Sequence, residues 1–199
     1  MPTTRRGDER RRAILRRATH LASVEGLEGV TLGRLATELG ISKGGLQALF
    51  GTKQELQLAI VGAAVEVFQE RVLDPAERAP DGLPRLRALL GAWIDYLEVF
   101  EGGCFFTAAA AEFDGREGPV RDAILLLALA AHDLAGTHVR LAVRLGELAP
   151  DTDADQLVFE LHGAILAANQ ARQLLGRPDA LDRARRAVRD RLDRAAAPA

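Results

Sequence analysis

Several protein classes are excluded by what this sequence lacks. It has one cysteine, Cys104, so no internal disulfide framework exists, and a cytoplasmic location is the expectation. Aromatic residues make up only 5% of the chain, so the core must be built mostly from Leu, Ala and Val. No sustained alternation of Val, Ile and Thr marks strands. No uncharged apolar run reaches about 18 residues, so no membrane span is expected. The N-terminal arginines are followed by no apolar segment, unlike a secretory signal. A phosphate-binding glycine loop, metal-ligand spacing and a nucleophile motif are all missing. The expectation is therefore a protein that is not an enzyme and needs no cofactor or metal.

What is present points to helices. The 199 residues are 48% apolar, and Ala and Leu are joined by Glu, Arg and Gln, all strong helix formers. An all-α chain follows. The net charge of −2 hides an asymmetry. Residues 1–60 hold ten Lys/Arg against six Asp/Glu, and residues 61–199 hold sixteen against twenty-two. A small basic part thus precedes a larger acidic body. Seven of the ten basic residues are arginines between Arg5 and Arg17, which taken alone read as a solvated tail.

A first helix is predicted from about Asp8 to Glu25, with Ile14, Ala18, Leu21 and Ala22 on one face. Thr31 is a good N-cap for a second helix, whose Leu32, Leu35, Ala36 and Leu39 have helical spacing. Gly40 suits the left-handed position that ends it. Ser42 can cap a third helix carrying Leu46, Leu49 and Phe50. Thr52-Lys53-Gln54-Glu55 has the form of a capping box for a fourth. Two short helices joined through Gly40 and Ile41 make the pattern of a helix-turn-helix, whose second helix, about Ser42 to Phe50, enters the major groove. Gly44 and Gly45 clear side chains from its N-terminus, so free N–H groups can approach a phosphate. Lys43 and Lys53 stand at both edges. A plain helical hairpin with ordinary glycine turns is the competing reading, and the coincidence of spacing, caps, glycine and basic residues favours DNA.

Residues 11–61, with "VTLGRLATELGISKGGL…LF…K.EL", resemble the DNA-binding domain of the TetR family of transcriptional regulators. The resemblance implies an all-helical homodimer, usually a repressor, with a variable helical ligand-binding domain after residue 60. It implies DNA-holding roles for Thr31, Ser42, Lys43, Gly44, Gly45 and Lys53. The chain departs from the family's common pattern in having Gly45 for a small polar residue, Gln47 for an aromatic, and Ala48 and Leu49 where Tyr or His is usual. Readout then falls on Gln47, which can bond adenine in a bidentate way, and on Lys43. The division expected is 1–60 for DNA binding and 61–199 for ligand binding and dimerisation.

The second part reads as helices throughout. Pro75, Pro80 and Pro84 suggest a linker over 74–84, and Val120 to Leu148 reads as one long helix. The helices near 153–175 and 179–195 are the expected dimer pair, through Val158, Leu161, Ala164, Ile165 and Ala168 on one and Leu181, Ala184, Val188 and Leu192 on the other, with packing inside the protomer as the other reading, which some of these faces must follow. Six of the nine aromatics fall within 93–113. Trp93, Tyr96, Phe100, Phe106 and Phe113 are candidates to line an apolar effector pocket, with plain core as the other reading. His132, His138 and His162 are too dispersed to be read as a metal set. Cys104, after two glycines, reads as a buried inert thiol or a redox sensor. The expected function is a DNA-binding regulator on a palindromic operator, a homodimeric repressor released by a small apolar or amphipathic ligand. The alternative is a helical module sensing a small molecule or protein, with weak or lost DNA binding.

Overall fold

The computed structural model describes residues 5–197, with side chains from residue 7. Its elements are α1 (Arg5–Glu25), α2 (Leu32–Leu39), α3 (Lys43–Phe50), α4 (Lys53–Phe68), a π-helical turn (Gln69–Leu73), α5 (Asp74–Glu77), α6 (Leu83–Tyr96), α7 (Phe105–Phe113), α8 (Pro119–Arg144), α9 (Ala154–Gln173) and α10 (Ala180–Ala195). Helical assignment is continuous from α4 through the π turn to α5, so the described residues form nine helices. They contain no strand, only an isolated antiparallel bridge between Leu148 and Ala196.

The linker predicted over 74–84 is shorter than expected, because the helix runs on to Glu77. Pro75 lacks an N–H and its ring crowds the carbonyl four residues back. The π turn before it absorbs that conflict: the Asp74 N–H reaches back five residues to the Gln69 carbonyl, and the widened turn makes room for the ring. The long helix predicted to Leu148 instead stops at Arg144. Gly146, at φ 75°, supplies the left-handed exit, so the stop comes before Pro150.

The chain divides into two compact units. The first combines the chain up to Val67 with Phe100–Leu127. Its core includes Ala18, Leu27, Val30, Leu35, Leu46, Leu56, Ile60 and Phe105, each all but sealed from solvent. Here α7 packs on α1. Gly102 lies so close to α1 that a Cβ on it would sit 1.8 Å from the Ser23 carbonyl oxygen.

The second unit comprises Phe68–Val99 and the chain from Ala128 onward. α10 packs along α9 and against α6, sealing Leu86, Ile94, Leu157 and Leu192. Gly82 offers no side chain to cap α6, and the Glu147 carboxylate accepts the Leu83 N–H instead (2.7 Å).

This packing decides between the two readings of the α9 and α10 faces for most of the named residues. Val158, Leu161, Ile165 and Ala168 on α9, and Leu181, Ala184, Val188 and Leu192 on α10, are buried inside the protomer. These small and aliphatic faces fit each other first. The apolar side chains α9 leaves outside are Phe159 (70% exposed) and Leu166, two turns apart, with Leu174 beyond them. Leu129 of α8 is also exposed. The outer side of α10 carries Arg183, Arg186, Arg189 and Asp190.

No membrane span was expected, yet α8 is long and apolar enough, by length and composition alone, to cross one. An 18-residue stretch of it has a mean hydropathy of 1.3, and 22% of that stretch is buried. One such helix is weak evidence, because a helix whose bare side meets another protein passes the same test.

Candidate nucleic-acid interface

Local chemistry shapes the α2–α3 pair. The Thr31 side chain accepts the Arg34 N–H (3.0 Å), starting α2. Gly40, at φ 64° and ψ 30°, is the left-handed C-cap, and its N–H returns to the last turn of α2. Ser42 then starts α3 by accepting the Gly45 N–H (3.1 Å). The capping box at 52–55 forms as read: the Glu55 carboxylate takes the Thr52 N–H (2.7 Å), and Thr52 Oγ1 takes the Glu55 N–H (3.2 Å). That contact holds the Glu55 carboxyl below its ordinary range, the Thr52 backbone N–H contributing most.

α3 turns Leu46 and Phe50 inward. Ser42, Lys43, Gly44, Gly45 and Gln47 are all exposed, so the structure gathers five of the seven sequence candidates on and around one bare helix. Thr31 is half-buried and acts as a cap. The arginine run is not a free tail. Arg11 lies over the Phe50 ring, 5.1 Å from its centre, and Arg17 pairs with Glu38, which also holds Arg34. These contacts tie α1 to both helices of the motif.

Lys53, the seventh candidate, is engaged within the protein. Its ammonium donates to Glu28, whose carboxylate also accepts Gln57 Nε2 (3.1 Å) and faces Arg116 (3.1 Å). The Lys53 contact, then Gln57, holds the Glu28 carboxyl below its ordinary range. A carboxyl depressed in the fold stabilises above its unfolded pKa, here 4.5, and loses that contribution as pH falls through the folded value. The Glu112 carboxylate of α7 takes the Leu27 N–H (2.7 Å), fixing the turn that presents Glu28. Nothing in the local sequence around Glu28 announces this hub, because its partners lie 25 to 88 residues away.

Residues 14–60 match the family model for bacterial regulatory proteins of the tetR family, and residues 82–188 match that for the tetracyclin repressor-like C-terminal domain. The chain belongs to the TetR family. It is a DNA-binding transcriptional regulator with a ligand-sensing domain. Solved structures agree on the fold. A TetR regulator from Chloroflexus aurantiacus J-10-FL superposes with a TM-score of 0.88 at 24% identity, over 98% of this chain and 100% of that one. AibR, solved with isovaleryl coenzyme A and operator DNA, gives 0.73 at 24% identity, over 90% and 96%. A regulator from Saccharomonospora viridis, solved with choline, gives 0.81 at 20% identity, over 96% and 100%. No curated protein sequence matches the chain significantly.

In this TetR-family chain the aromatic candidates are divided between the two units. Trp93 and Tyr96 meet Phe68 in the second unit, with ring centres 5.4 and 5.1 Å apart. Phe100, Phe106 and Phe113 belong to the first unit, where Arg116 covers Phe113 at 4.8 Å and Phe106 abuts Phe105. Only Trp93 of the five lines the recess of the second unit, a space of about 270 Å³ including its open mouth. Its other walls are Leu90, Ala131, Ala135, Val158 and Leu161, with two histidines that sequence reasoning set aside. His132 of α8 and His162 of α9 stand edge to face at 5.0 Å, and His162 lies 5.3 Å from Trp93. Burial, then His132, pushes the His162 pKa down. The described residues bring no three metal-ligating side chains together. Cys104 is 2% exposed and burial pushes its thiol pKa up, which favours the inert reading.

Proposed function

We propose that the protein is a cytoplasmic homodimeric repressor that binds a palindromic operator and leaves it when a small apolar or amphipathic ligand is bound. The observation that carries this reading is α3 itself: an N-capped helix, bare on its outer side, offering Lys43 and Gln47 from a helix-turn-helix within the tetR match. In this reading Thr31, Ser42, Lys43, Gly44, Gly45 and Lys53 hold the DNA backbone and Gln47 reads a base. The division of labour stays 1–60 for DNA and 61–199 for ligand and dimerisation. AibR, which has been solved with both a ligand and operator DNA, supports the combination. The recess beside Trp93, His132 and His162 is the ligand site we favour. The dimer forms through the outward face of α9, with α10 beside it. A ligand releases DNA only by its differential affinity for the two states. No chemical reaction is assigned to the chain.

Selection from a random duplex pool tests the reading. An inverted repeat should emerge, with half-sites about one helical turn apart. Failure to enrich any duplex would favour the sensing module without DNA binding. Gln47→Ala should weaken the selected site by about 1–3 kcal/mol per half-site and leave scrambled DNA and the salt dependence unchanged.

The Glu28 contact gives a further prediction. Lys53 must leave or share Glu28 to meet a phosphate. Lys53→Ala should weaken all duplexes alike and reduce the slope of log K against log salt by about 2 per dimer. Glu28→Gln should do the opposite, raising affinity for operator and random DNA together. Salt titrations of both variants by fluorescence anisotropy check this. Equal slopes for Lys53→Ala and wild type would remove Lys53 from the interface.

A further inference from the structure

The outer side of α3 carries more hydrocarbon than hydrogen-bonding groups. With Leu46 and Phe50 turned inward, the spacing of about 3.6 residues per turn puts Gly44 and Ala48 on the opposite side. Gln47 lies on one flank, Gly45 and Leu49 on the other. Ala48 is exposed, and Leu49 remains 39% exposed although it belongs to an apolar run. Neither is among the buried core side chains.

Gly44 adds an independent observation. It is not among the glycines with positive φ, and a Cβ built on it would meet nothing within 4 Å. Glycine inside a helix is destabilising relative to alanine. Gly62, Gly91 and Gly163 share that open space, so what sets Gly44 apart is its place at the most outward point of the first turn of α3, where the absent side chain leaves room for a close approach from outside.

That something is DNA if α3 is the recognition helix, and this inference rests on that reading. In the major groove each base pair shows donors and acceptors, and the one apolar group on offer is the thymine C5-methyl. We propose that Ala48 and Leu49 recognise thymine methyl groups, with Gly44 providing the clearance that lets this ridge reach them. Each half-site then contains thymines beside the base that Gln47 contacts.

Uracil differs from thymine only by that methyl, so deoxyuridine substitution tests the proposal without altering the protein. In the selected operator, each thymine is replaced singly and binding is measured at fixed salt. At one or two positions per half-site wild type should lose about fourfold, the worth of one buried methyl. At the same positions Leu49→Ala or Ala48→Gly should show less than about a twofold further loss, since the contact is already gone. Gly44→Ala should raise the melting temperature while weakening operator binding by roughly tenfold. Deoxyuridine substitutions that are silent at every position, with operator binding otherwise intact, would overturn the proposal while leaving the DNA-binding reading standing. A loss that persists unchanged in both Ala48→Gly and Leu49→Ala would overturn it too, assigning the methyl contact elsewhere. If no duplex is selected at all, the DNA-binding reading fails and the proposal with it.

Discussion

Phe159→Glu is expected to split the proposed dimer into monomers and to abolish tight operator binding. Phe159 is 70% exposed in the protomer, on a stripe of α9 that continues to Leu166. Covering a phenylalanine is worth about 1.5–3 kcal/mol, and a two-fold interface contains it twice. Placing two carboxylates there adds the cost of burying like charges. The dimer should weaken by at least roughly a thousandfold. Operator affinity then falls by about 10²–10⁴, because the second half-site no longer binds within one molecule. Sedimentation velocity gives the mass, and anisotropy on full and half operators gives the affinity. Leu145→Glu is the control, since Leu145 is 55% exposed but lies beyond α8, at its C-terminal exit. A Phe159→Glu protein that stays dimeric at micromolar concentration would place the interface elsewhere.

Gly102→Ala is expected to cost more stability than any other single methyl added to a glycine without positive φ. Its new Cβ would lie 1.8 Å from the Ser23 carbonyl oxygen and 2.8 Å from the Val24 nitrogen, and both are backbone atoms of α1 that cannot rotate away. Either α1 or the loop must shift, opening contacts in the first unit. Overpacking of this kind costs on the order of 3 kcal/mol. For a chain of this size that is roughly 6–12 °C in melting temperature. Gly62→Ala serves as the comparison: its Cβ meets nothing, so the melting temperature should hold or rise. Thermal unfolding followed by circular dichroism decides, and a Gly102→Ala protein that melts like wild type would refute the close approach.

The helix-turn-helix was legible because its determinants are local. Thr31, Ser42 and Thr52 each reach only three residues ahead, Gly40 acts through its own dihedral angles, and Leu46 and Phe50 are one turn apart. What was not legible came from tertiary choices. Composition alone could not choose between the two readings of the α9 and α10 faces, which fit each other inside one protomer, nor tell that Phe100–Leu127 would join the first unit. Gln69–Leu73 shows a third limit, since propensity marks Pro75 as a breaker while a π turn can carry a helix past it. The histidine pair was recoverable in part. His132 and His162, like Arg140 and Asp155, are almost equidistant from the turn after α8, as expected of a helix that doubles back beside its predecessor.

Cys104 matters for what it leaves free. It is the only cysteine in the chain, it is buried, and its thiol is held away from the reactive thiolate form. A second cysteine placed on the surface would therefore be the sole fast-reacting thiol, and maleimide or methanethiosulfonate reagents would mark one position per protomer without removing Cys104. A nitroxide at position 47 would then turn a dimer into a molecular ruler. Pulsed electron resonance between the two labels would read the separation of the α3 helices against the roughly 34–36 Å repeat of B-form DNA. The same label would follow how that separation responds when a candidate effector is titrated in, with no duplex present.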